Sequence, residues 1–192
     1  MSENPYADYL SLEALLSQQH PVSAEHDEML FIVIHQATEL WMKVVLHEVG
    51  YAQRQIAADD LGPAFKALAR VARIQHVLIE SWQVLATMTP VDYLEFRHLL
   101  GSASGFQSEQ YRAIEFGLGR RPAGYLKQLD ESGRERLEAI RHAPGLYDET
   151  LRLLARRGLL EASWLERDWT VQHELSEDVV MAWLTVYQDT AE

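Results

Sequence analysis

The sequence predicts an all-α protein, a helical bundle built from helices of unequal length. Apolar residues recur three and four positions apart over long stretches, which is the spacing of one face of an α-helix. No stretch alternates apolar and polar residues for long enough to predict a sheet, and most glycines lie between the periodic segments. Because the chain has 192 residues and no internal repeat, we expect a single helical domain over residues 1–192.

The first long helix is predicted from Ser23 to about Gly50. Ser23 can cap it, and acidic residues in the next turn suit the positive end of the helix dipole. Apolar residues occur around much of its girth, so we expect it to be central and buried. An N-terminal arm, residues 1–20, precedes it. The isolated apolar residues of this arm are Tyr6, Tyr9 and Leu10.

The second long helix is predicted over residues 61–88, with one broad apolar face. That face is formed by Phe65, Leu68, Ala72, Gln75, Leu78, Ile79, Trp82 and Leu85. Thr89 and Pro90 favour the start of a third helix, because threonine is a good cap and proline fits the first helical position. This third helix is predicted to end at Leu100. Shorter helices are predicted near residues 108–116, 134–141, 146–157 and 176–187.

Composition excludes several classes of function. The formal net charge of −12 argues against a nucleic-acid partner, because binding phosphates requires a concentrated positive surface. There is no cysteine, so disulfides and thiolate metal sites are excluded and a cytoplasmic location is the simplest expectation. We see neither a signal-peptide pattern nor the ~20 consecutive apolar residues of a membrane span, so we expect no membrane partner.

Two of the predicted helices each present two functional side chains spaced four residues apart, on one face. These pairs are Phe31 with His35 and Tyr93 with Arg97. They offer an aromatic wall, an imidazole, a phenol and a guanidinium that can grip a carboxylate, a set that suits an aromatic amino acid. The spacing does not decide the matter, because such an arginine is usually a surface ion pair and such a histidine a core residue.

Two further patterns could carry chemistry. The loop from Ser102 to Gly105 offers hydroxyl and backbone N–H groups that can hold an anionic group, although such loops are more often a turn with a helix cap. Glu95 and His98 form one Glu-x-x-His pair, whereas carboxylate-bridged di-iron bundles use two such pairs and two further glutamates. A metal site of that kind is therefore the weakest alternative.

Three ordered runs of the chain carry specific motifs. They are His26–Gln36 continuing through Glu39-Leu40-Trp41, Met88–Arg97 followed by Ser102–Ser108, and the opening Tyr6-Ala-Asp-Tyr9-Leu10. Together they resemble the motifs of the tryptophan 2,3-dioxygenase family, an all-helical family of heme enzymes. Weaker similarity continues through residues 146–148 to 182–187, so the resemblance covers essentially the entire chain.

The resemblance implies a role for each matched side chain. His35 is expected on the distal side of a heme b, beside the indole nitrogen of the substrate, with Phe31 as a wall for the indole. Arg97, with help from Tyr93, is expected to hold the substrate carboxylate.

The resemblance also implies contacts outside this group. Ser104 and Gly105 are expected against the heme edge and the bound ligand. Tyr6, Tyr9 and Leu10 are expected to reach into the pocket of a neighbouring subunit, which makes the assembly a homo-oligomer, either a tetramer or a dimer.

The implied activity is that of a heme-dependent oxidoreductase in tryptophan catabolism, on the kynurenine pathway. Both atoms of O2 are inserted across the C2–C3 bond of L-tryptophan, or of a related indole amino acid, giving N-formylkynurenine. The protein contributes orientation, exclusion of water and a carboxylate clamp. Mono-oxygenation of the ring stays open. So does the alternative of a heme-free family member that binds an aromatic amino acid or serves as an oligomeric scaffold.

The axial ligand of the heme has no match in this sequence. Family members are expected to continue past Glu192 into a helix with the proximal histidine and a glycine-rich loop. Four explanations stay open: a truncated sequence, a second polypeptide that supplies the segment, a replacement ligand within this chain, or loss of the reaction. Of the eight histidines, His173 lies nearest the absent segment and is the first candidate for a replacement, although we expect it to be solvent exposed.

Overall fold

The computed structural model describes residues 4–188, and over these residues it contains helices and no strand. This confirms the all-α prediction. The α-helices are α1 Pro5–Tyr9, α2 Leu12–Leu16, α3 His26–Ala57, α4 Leu61–Leu85, α5 Pro90–Arg97, α6 Glu109–Leu118, α7 Glu131–Arg141, α8 Leu146–Arg156 and α9 Glu177–Gln188. Short 3₁₀ turns occur at His98–Leu100, Gly105–Gln107, Ala123–Gln128 and Ala162–Leu165.

Backbone contacts divide the described residues into two units. The first unit contains the residues up to Leu40 and Val77–Ala103, and the second contains Trp41–His76 and the residues from Ser104 onward. Helices α3 and α4 each contribute one part to each unit. Whether residues 1–192 form a single folding domain stays a prediction.

The start of α3 differs from the prediction. The helix begins at His26, three residues after Ser23. The Ser23 hydroxyl accepts a hydrogen bond from the Glu25 N–H and donates one to the Glu28 carboxylate, which also accepts the N–H groups of Val22 and Ser23. These bonds lower the pKa of Glu28, the Ser23 hydroxyl being the largest cause. Ser23 therefore fixes the chain leading into α3 through Glu28 rather than capping the helix.

The predicted burial of α3 is wrong for the part of the helix that lies in the first unit. Met29, Val33 and Leu40 are exposed there, and the fully buried residue is the charged Glu28. The buried apolar residues of α3 all lie in the second unit, and they are Met42, Val45, Val49, Ala52 and Ile56. By length and composition alone α3 could also cross a membrane, which corrects the expectation that no stretch could. One such helix is weak evidence, since core helices of soluble proteins pass the same test.

Helix α4 buries a different face from the one predicted. Its buried residues are Ala64, Ala67, Val71 and Ile74, whereas Phe65, Ile79 and Trp82 are exposed. The prediction followed the face that carries Phe65 and Trp82 and left out the small residues Ala64 and Ala67, through which helices can approach most closely. Ala64 and Ala67 pack with Ala52 and Ile56 of α3 and with Leu153 of α8, so the helices approach closely along this seam.

A buried guanidinium joins several segments of the second unit. Arg121 donates hydrogen bonds to the backbone carbonyls of Phe116 and Trp169 and to the Asp148 carboxylate, with 2.7 Å between Nη2 and Oδ2. The side chains of Arg121 and Asp148 are only 3% and 2% exposed. A Cβ on Gly145 would lie 2.5 Å from the Arg121 guanidinium, so the chain needs glycine there. Arg121 thus ties the end of α6 to the start of α8 and to the loop before α9.

We predict that Asp148→Asn lowers the free energy of unfolding by about 3 kcal/mol or more, because it leaves Arg121 as a buried charge without a counter-charge. Denaturant unfolding measures this change. The matched control is Arg120→Ala, since the neighbouring Arg120–Glu115 pair is exposed on the arginine side and is expected to contribute no more than about 1 kcal/mol. Equal losses in the two variants would contradict the prediction.

Candidate functional site

Helix α5 carries two of the predicted site residues and begins as expected. The Thr89 hydroxyl accepts the N–H of Asp92, the Asp92 carboxylate accepts the N–H of Thr89, and Pro90 occupies the first helical position. The hydrogen bonds from Thr89 lower the pKa of Asp92. The helix ends at Arg97 rather than Leu100, because the chain tightens into a 3₁₀ turn and then reverses at Gly101 with φ of 56°. The cap fixes where Tyr93 and Arg97 lie.

Aromatic side chains of the first unit form a continuous cluster, the ring cluster, which joins α3, α4 and α5. The Phe31 ring centroid lies 4.2 Å from that of His35, 5.8 Å from that of Tyr93 and 5.6 Å from that of Phe96. The indole of Trp82 lies edge-on to His35 at 6.5 Å. Phe96 is fully buried, whereas Phe31, His35 and Tyr93 are partly exposed and Trp82 is exposed. The cluster therefore has one buried side and one side exposed to solvent.

The His35 ring is oriented by a hydrogen bond to its own helix. Its Nδ1 lies 2.7 Å from the backbone carbonyl oxygen of Phe31, one turn earlier. Because a carbonyl oxygen can only accept, Nδ1 carries the proton and donates it. In the neutral ring Nε2 is then left with its lone pair and acts as an acceptor. His35 thus offers a hydrogen-bond acceptor rather than a donor at the end of the ring away from α3.

Arg97 lies one helical turn after Tyr93 on α5, on the same face. Its Nη1 donates to the carbonyl oxygen of Gly101 at 2.9 Å, which uses one of its five N–H donors. Among residues 4–188 this guanidinium forms no salt bridge, so Arg97 is not the surface ion pair that the simpler interpretation offered. A partly exposed, oriented guanidinium of this kind can bind a carboxylate with two parallel hydrogen bonds.

The remaining predicted residues of the first unit are placed apart from these contacts. Tyr6, Tyr9 and Leu10 are exposed on α1 and at its end, Tyr9 to 88%. Their expected role in a neighbouring subunit stays a prediction. The structure thus brings Phe31, His35 and Tyr93 together by ring contact and places Arg97 one turn beyond.

Ser104 and Gly105 belong to the second unit, where both are exposed. The Ser104 hydroxyl accepts the N–H of Phe106, and the Gln107 side chain accepts the N–H of Ser104, so Ser104 caps the 3₁₀ turn that follows it. This is the simpler of the two interpretations that the sequence allowed, a turn followed by a capped helical segment. Whether these residues also contact a ligand stays a prediction.

Sequence reasoning missed Arg112, which lies behind this turn. The residue is 3% exposed, its guanidinium lies 3.6 Å from the ring centroid of Tyr125, and Nη2 donates weakly to the carbonyl of Phe106 at 3.4 Å. Glu115 accepts from Nη1, but the buried Nε has no hydrogen-bond partner among the described residues. The available signal was a lone arginine on the apolar face of α6. A buried cation with an unsatisfied donor next to the Ser104 turn fits an anionic group.

His173 does not have the exposed environment that was expected. Its side chain is 12% exposed, Nε2 lies 2.5 Å from the Asp148 carboxylate, and Nη1 of Arg167 lies within 3.2 Å of both ring nitrogens. Both ring nitrogens are engaged, so its use as a replacement metal ligand is not supported. The expectation failed because it judged the residue by its position before a helix and not by its partners.

The alternative of a carboxylate-bridged metal site has no support in the described residues. Among residues 4–188 no group of three or more histidine, aspartate or glutamate side chains is arranged to hold a metal ion. Glu95 faces Glu25 instead. Repulsion from Glu25 is the largest cause of a raised pKa at Glu95, and desolvation, a hydrogen bond with Glu25 and the charges of Asp92 and Asp27 add to it.

Comparison with known proteins gives one consistent family. A family model described as tryptophan 2,3-dioxygenase matches residues 1–144. Relatives named tryptophan 2,3-dioxygenase include those of Polaromonas sp., 54% identical, Cupriavidus necator, 52% identical, and a strain of Bacillus cereus, 51% identical. Each alignment covers 96% of this chain. The chain spans 64% of the length of the Polaromonas and Cupriavidus relatives and 67% of the Bacillus relative.

The crowded carboxylates give a prediction of pH dependence. Because the pKa of Glu95 is raised in the folded chain, its proton stabilises the fold at low pH, and this stabilisation is lost as the pH rises above the ordinary glutamate value of 4.5. Glu95→Gln is therefore expected to unfold at higher denaturant concentration than the unmodified chain at neutral pH. Below pH 4.5, the ordinary glutamate value, the two chains are expected to unfold at the same denaturant concentration. Glu80→Gln, at an exposed position of α4, is the control, and the same gain from both variants would contradict the prediction.

Proposed function

Because this chain belongs to the tryptophan 2,3-dioxygenase family, we propose that it acts as a heme-dependent dioxygenase on L-tryptophan or a related indole amino acid. The reaction inserts both atoms of O2 across the C2–C3 bond of the indole and gives N-formylkynurenine. The names of the relatives favour this activity over the alternative of a heme-free binding protein or scaffold.

The observation that carries the proposal is the ring cluster, with Arg97 one helical turn after Tyr93 on α5. Phe31 and Tyr93 provide aromatic surface, which suits a flat indole. Arg97, one turn after Tyr93, provides a cation of the right geometry for an amino-acid carboxylate. In the proposal, the aromatic ring of an amino acid therefore contacts α3 and α5, and its carboxylate binds to Arg97 on α5.

In this proposal His35 accepts a hydrogen bond from the indole N–H. The bond from Nδ1 to the Phe31 carbonyl leaves Nε2 as the acceptor, which matches the single donor of the indole ring. A neutral imidazole is a weak base for an N–H that is itself a poor acid. His35 therefore holds and orients the ring rather than removing its proton. Orientation of this kind lowers the barrier by fixing the reacting atoms in position.

Heme b is the proposed cofactor, and when bound it supplies the activation of O2. The family is heme-dependent, and the fit can be judged on one observation in this chain. The guanidinium of Arg112 is buried, its Nε has no partner among the described residues, and its Nη2 lies 3.4 Å from the Phe106 carbonyl in the turn that follows Ser104. A cation beside this turn suits an anionic propionate, so we propose Arg112, Ser104 and Gly105 as contacts of the heme edge. We assign the axial ligand to no residue of this chain.

The proposed assembly is a homo-oligomer, a tetramer or a dimer, in the cytoplasm. The exposed apolar residues of α1 support an oligomer, because Tyr6, Tyr9 and Leu10 contribute little to the core of their own chain. In the proposal they contact the site of a neighbouring subunit.

We predict that Arg97→Lys weakens binding of L-tryptophan by at least about tenfold, because lysine keeps the charge but loses the two-pronged hydrogen bond. Arg97→Ala is expected to cost about 2 kcal/mol or more. Calorimetry with the full chain, with and without added hemin, measures binding. Formation of N-formylkynurenine from L-tryptophan and O2 in the hemin-supplied, reduced protein measures the activity.

His98→Ala is the matched control, because this exposed residue follows Arg97 directly and has no role in the proposal. It is expected to bind L-tryptophan like the unmodified chain. Unchanged binding in both Arg97 variants would contradict the carboxylate clamp. Protein that takes up hemin and binds L-tryptophan but forms no N-formylkynurenine would contradict the proposed reaction.

A further inference from the structure

The chain between α2 and α3 is fastened back onto α3, and the proposed function does not use this contact. We call residues 18–23 of this connection the return segment. At its first residue, the Gln36 side chain donates to the carbonyl of Gln18, with 2.9 Å between Nε2 and the oxygen. At its other end, the Glu28 carboxylate accepts two backbone N–H groups, each at 2.7 Å. The return segment therefore runs back along α3 from Gln36 to Glu28.

The two anchors lie on the face of α3 that carries the site. Glu28, Phe31, His35 and Gln36 recur at the i, i+3, i+7 and i+8 spacing of a single helix face. The eight positions between the anchors rise about 12 Å along the helix, and the five positions of the return segment span at most about 18 Å when extended. The segment is therefore long enough to follow this face past the turn that carries Phe31 and His35.

A second side-chain amide joins Gln36 to α2. Gln19 Nε2 donates to Gln36 Oε1 at 2.7 Å and to the carbonyl oxygen of Leu15, in the last turn of α2, at 3.0 Å. Because a backbone carbonyl can only accept, Gln36 must turn its nitrogen toward Gln18 and its oxygen toward Gln19. Gln19 is partly buried, whereas Gln18 and His20 are exposed. We call the three hydrogen bonds of Gln19 and Gln36 the amide clasp.

Helices α1 and α2 have little packing that could replace the amide clasp. Neither helix, and both lie wholly within the described residues, contains a buried residue. Tyr6, Tyr9 and Leu16 are exposed to 68%, 88% and 70%. Since apolar burial does not hold α1 and α2 against their own chain, directional hydrogen bonds must set the direction in which they leave α3.

We propose that Gln36 is a positioning residue, which acts through Gln19 and the return segment to hold α1 and α2 in a fixed direction relative to the ring cluster. The inference rests on the proposed function in one respect, because there Tyr6, Tyr9 and Leu10 contact the site of a neighbouring subunit. When the amide clasp is lost, these side chains occupy that site less of the time. Substrate binding is then weakened, while the chemistry beside His35 is unchanged.

Hydrogen exchange of the full chain tests the amide clasp without reference to activity. Gln36→Met keeps the length of the side chain but can neither donate to Gln18 nor accept from Gln19. Loss of two neutral hydrogen bonds is expected to lower the protection of amides in α2 and the return segment by about tenfold. Amides of α5 in the same unit serve as the internal reference. Unchanged protection would overturn the proposal.

A double-mutant cycle with Gln19→Met decides whether the two glutamines act as a unit. The bond between them is lost in either single variant, so the double variant is expected to lose about fivefold less protection than the product of the single effects, the contribution of one neutral hydrogen bond. An effect equal to that product would contradict the amide clasp. Gln83→Met, at an exposed glutamine of α4 in the same unit, is the control and is expected to change nothing.

Steady-state kinetics of the hemin-supplied, reduced protein test the positioning role. Gln36→Met is expected to raise the KM for L-tryptophan about threefold or more and to keep kcat within about twofold, the pattern of lost binding. A lower kcat with KM unchanged, or no change in either constant, would overturn that role. An unmodified chain that forms no N-formylkynurenine contradicts the proposed function instead, and hydrogen exchange then still decides the amide clasp. Should Gln36→Met fail to fold, Gln19→Met, which lies outside α3, is expected to give the same changes and decides alone.

Discussion

The proposed chemistry depends on one short-range interaction, the hydrogen bond from His35 Nδ1 to the carbonyl of Phe31. The bond closes across one turn of α3 and joins the two side chains whose rings are in contact. It fixes both the direction of the imidazole and the nitrogen that carries its proton. An imidazole with the other tautomer would present a donor, and two donors cannot bind each other. In the proposed function, recognition of an indole N–H requires this backbone contact as much as it requires the histidine.

The second unit contributes charged groups that are held by buried contacts. Arg121 and Asp148 are paired out of solvent, which is costly unless each hydrogen bond is made. Arg112 is equally buried, yet its Nε lacks a partner among the described residues. The two arginines therefore differ in how completely their donors are satisfied, although each has a carboxylate partner. Arg141 and Arg152 also have a buried Nε without a partner among the described residues, so it is the position of Arg112 beside the Ser104 turn that makes it the candidate.

Local rules predicted the parts of the fold that depend on neighbouring residues. The cap at Thr89 and Pro90 and the start of α8 at residue 146 follow from such rules. Burial depends on tertiary packing instead, so helical spacing alone predicted the wrong face of α4, whose buried side includes Ala64 and Ala67. Spacing grouped Phe31 with His35 and Tyr93 with Arg97, but it could not show that the pairs on α3 and α5 meet. Arg112 and His173 were misjudged because their partners lie far away in sequence or in other segments.

The most direct test of the central claim is the protonation state of the His35 ring, measured by ¹⁵N magnetic resonance of the full chain labelled in histidine. A His35→Gln variant assigns the signals. The account predicts that, near neutral pH, Nδ1 carries the proton and Nε2 is unprotonated, and that L-tryptophan shifts the Nε2 signal. A ring with its proton on Nε2 and a bare Nδ1 would contradict it, because such a ring offers the indole N–H no acceptor.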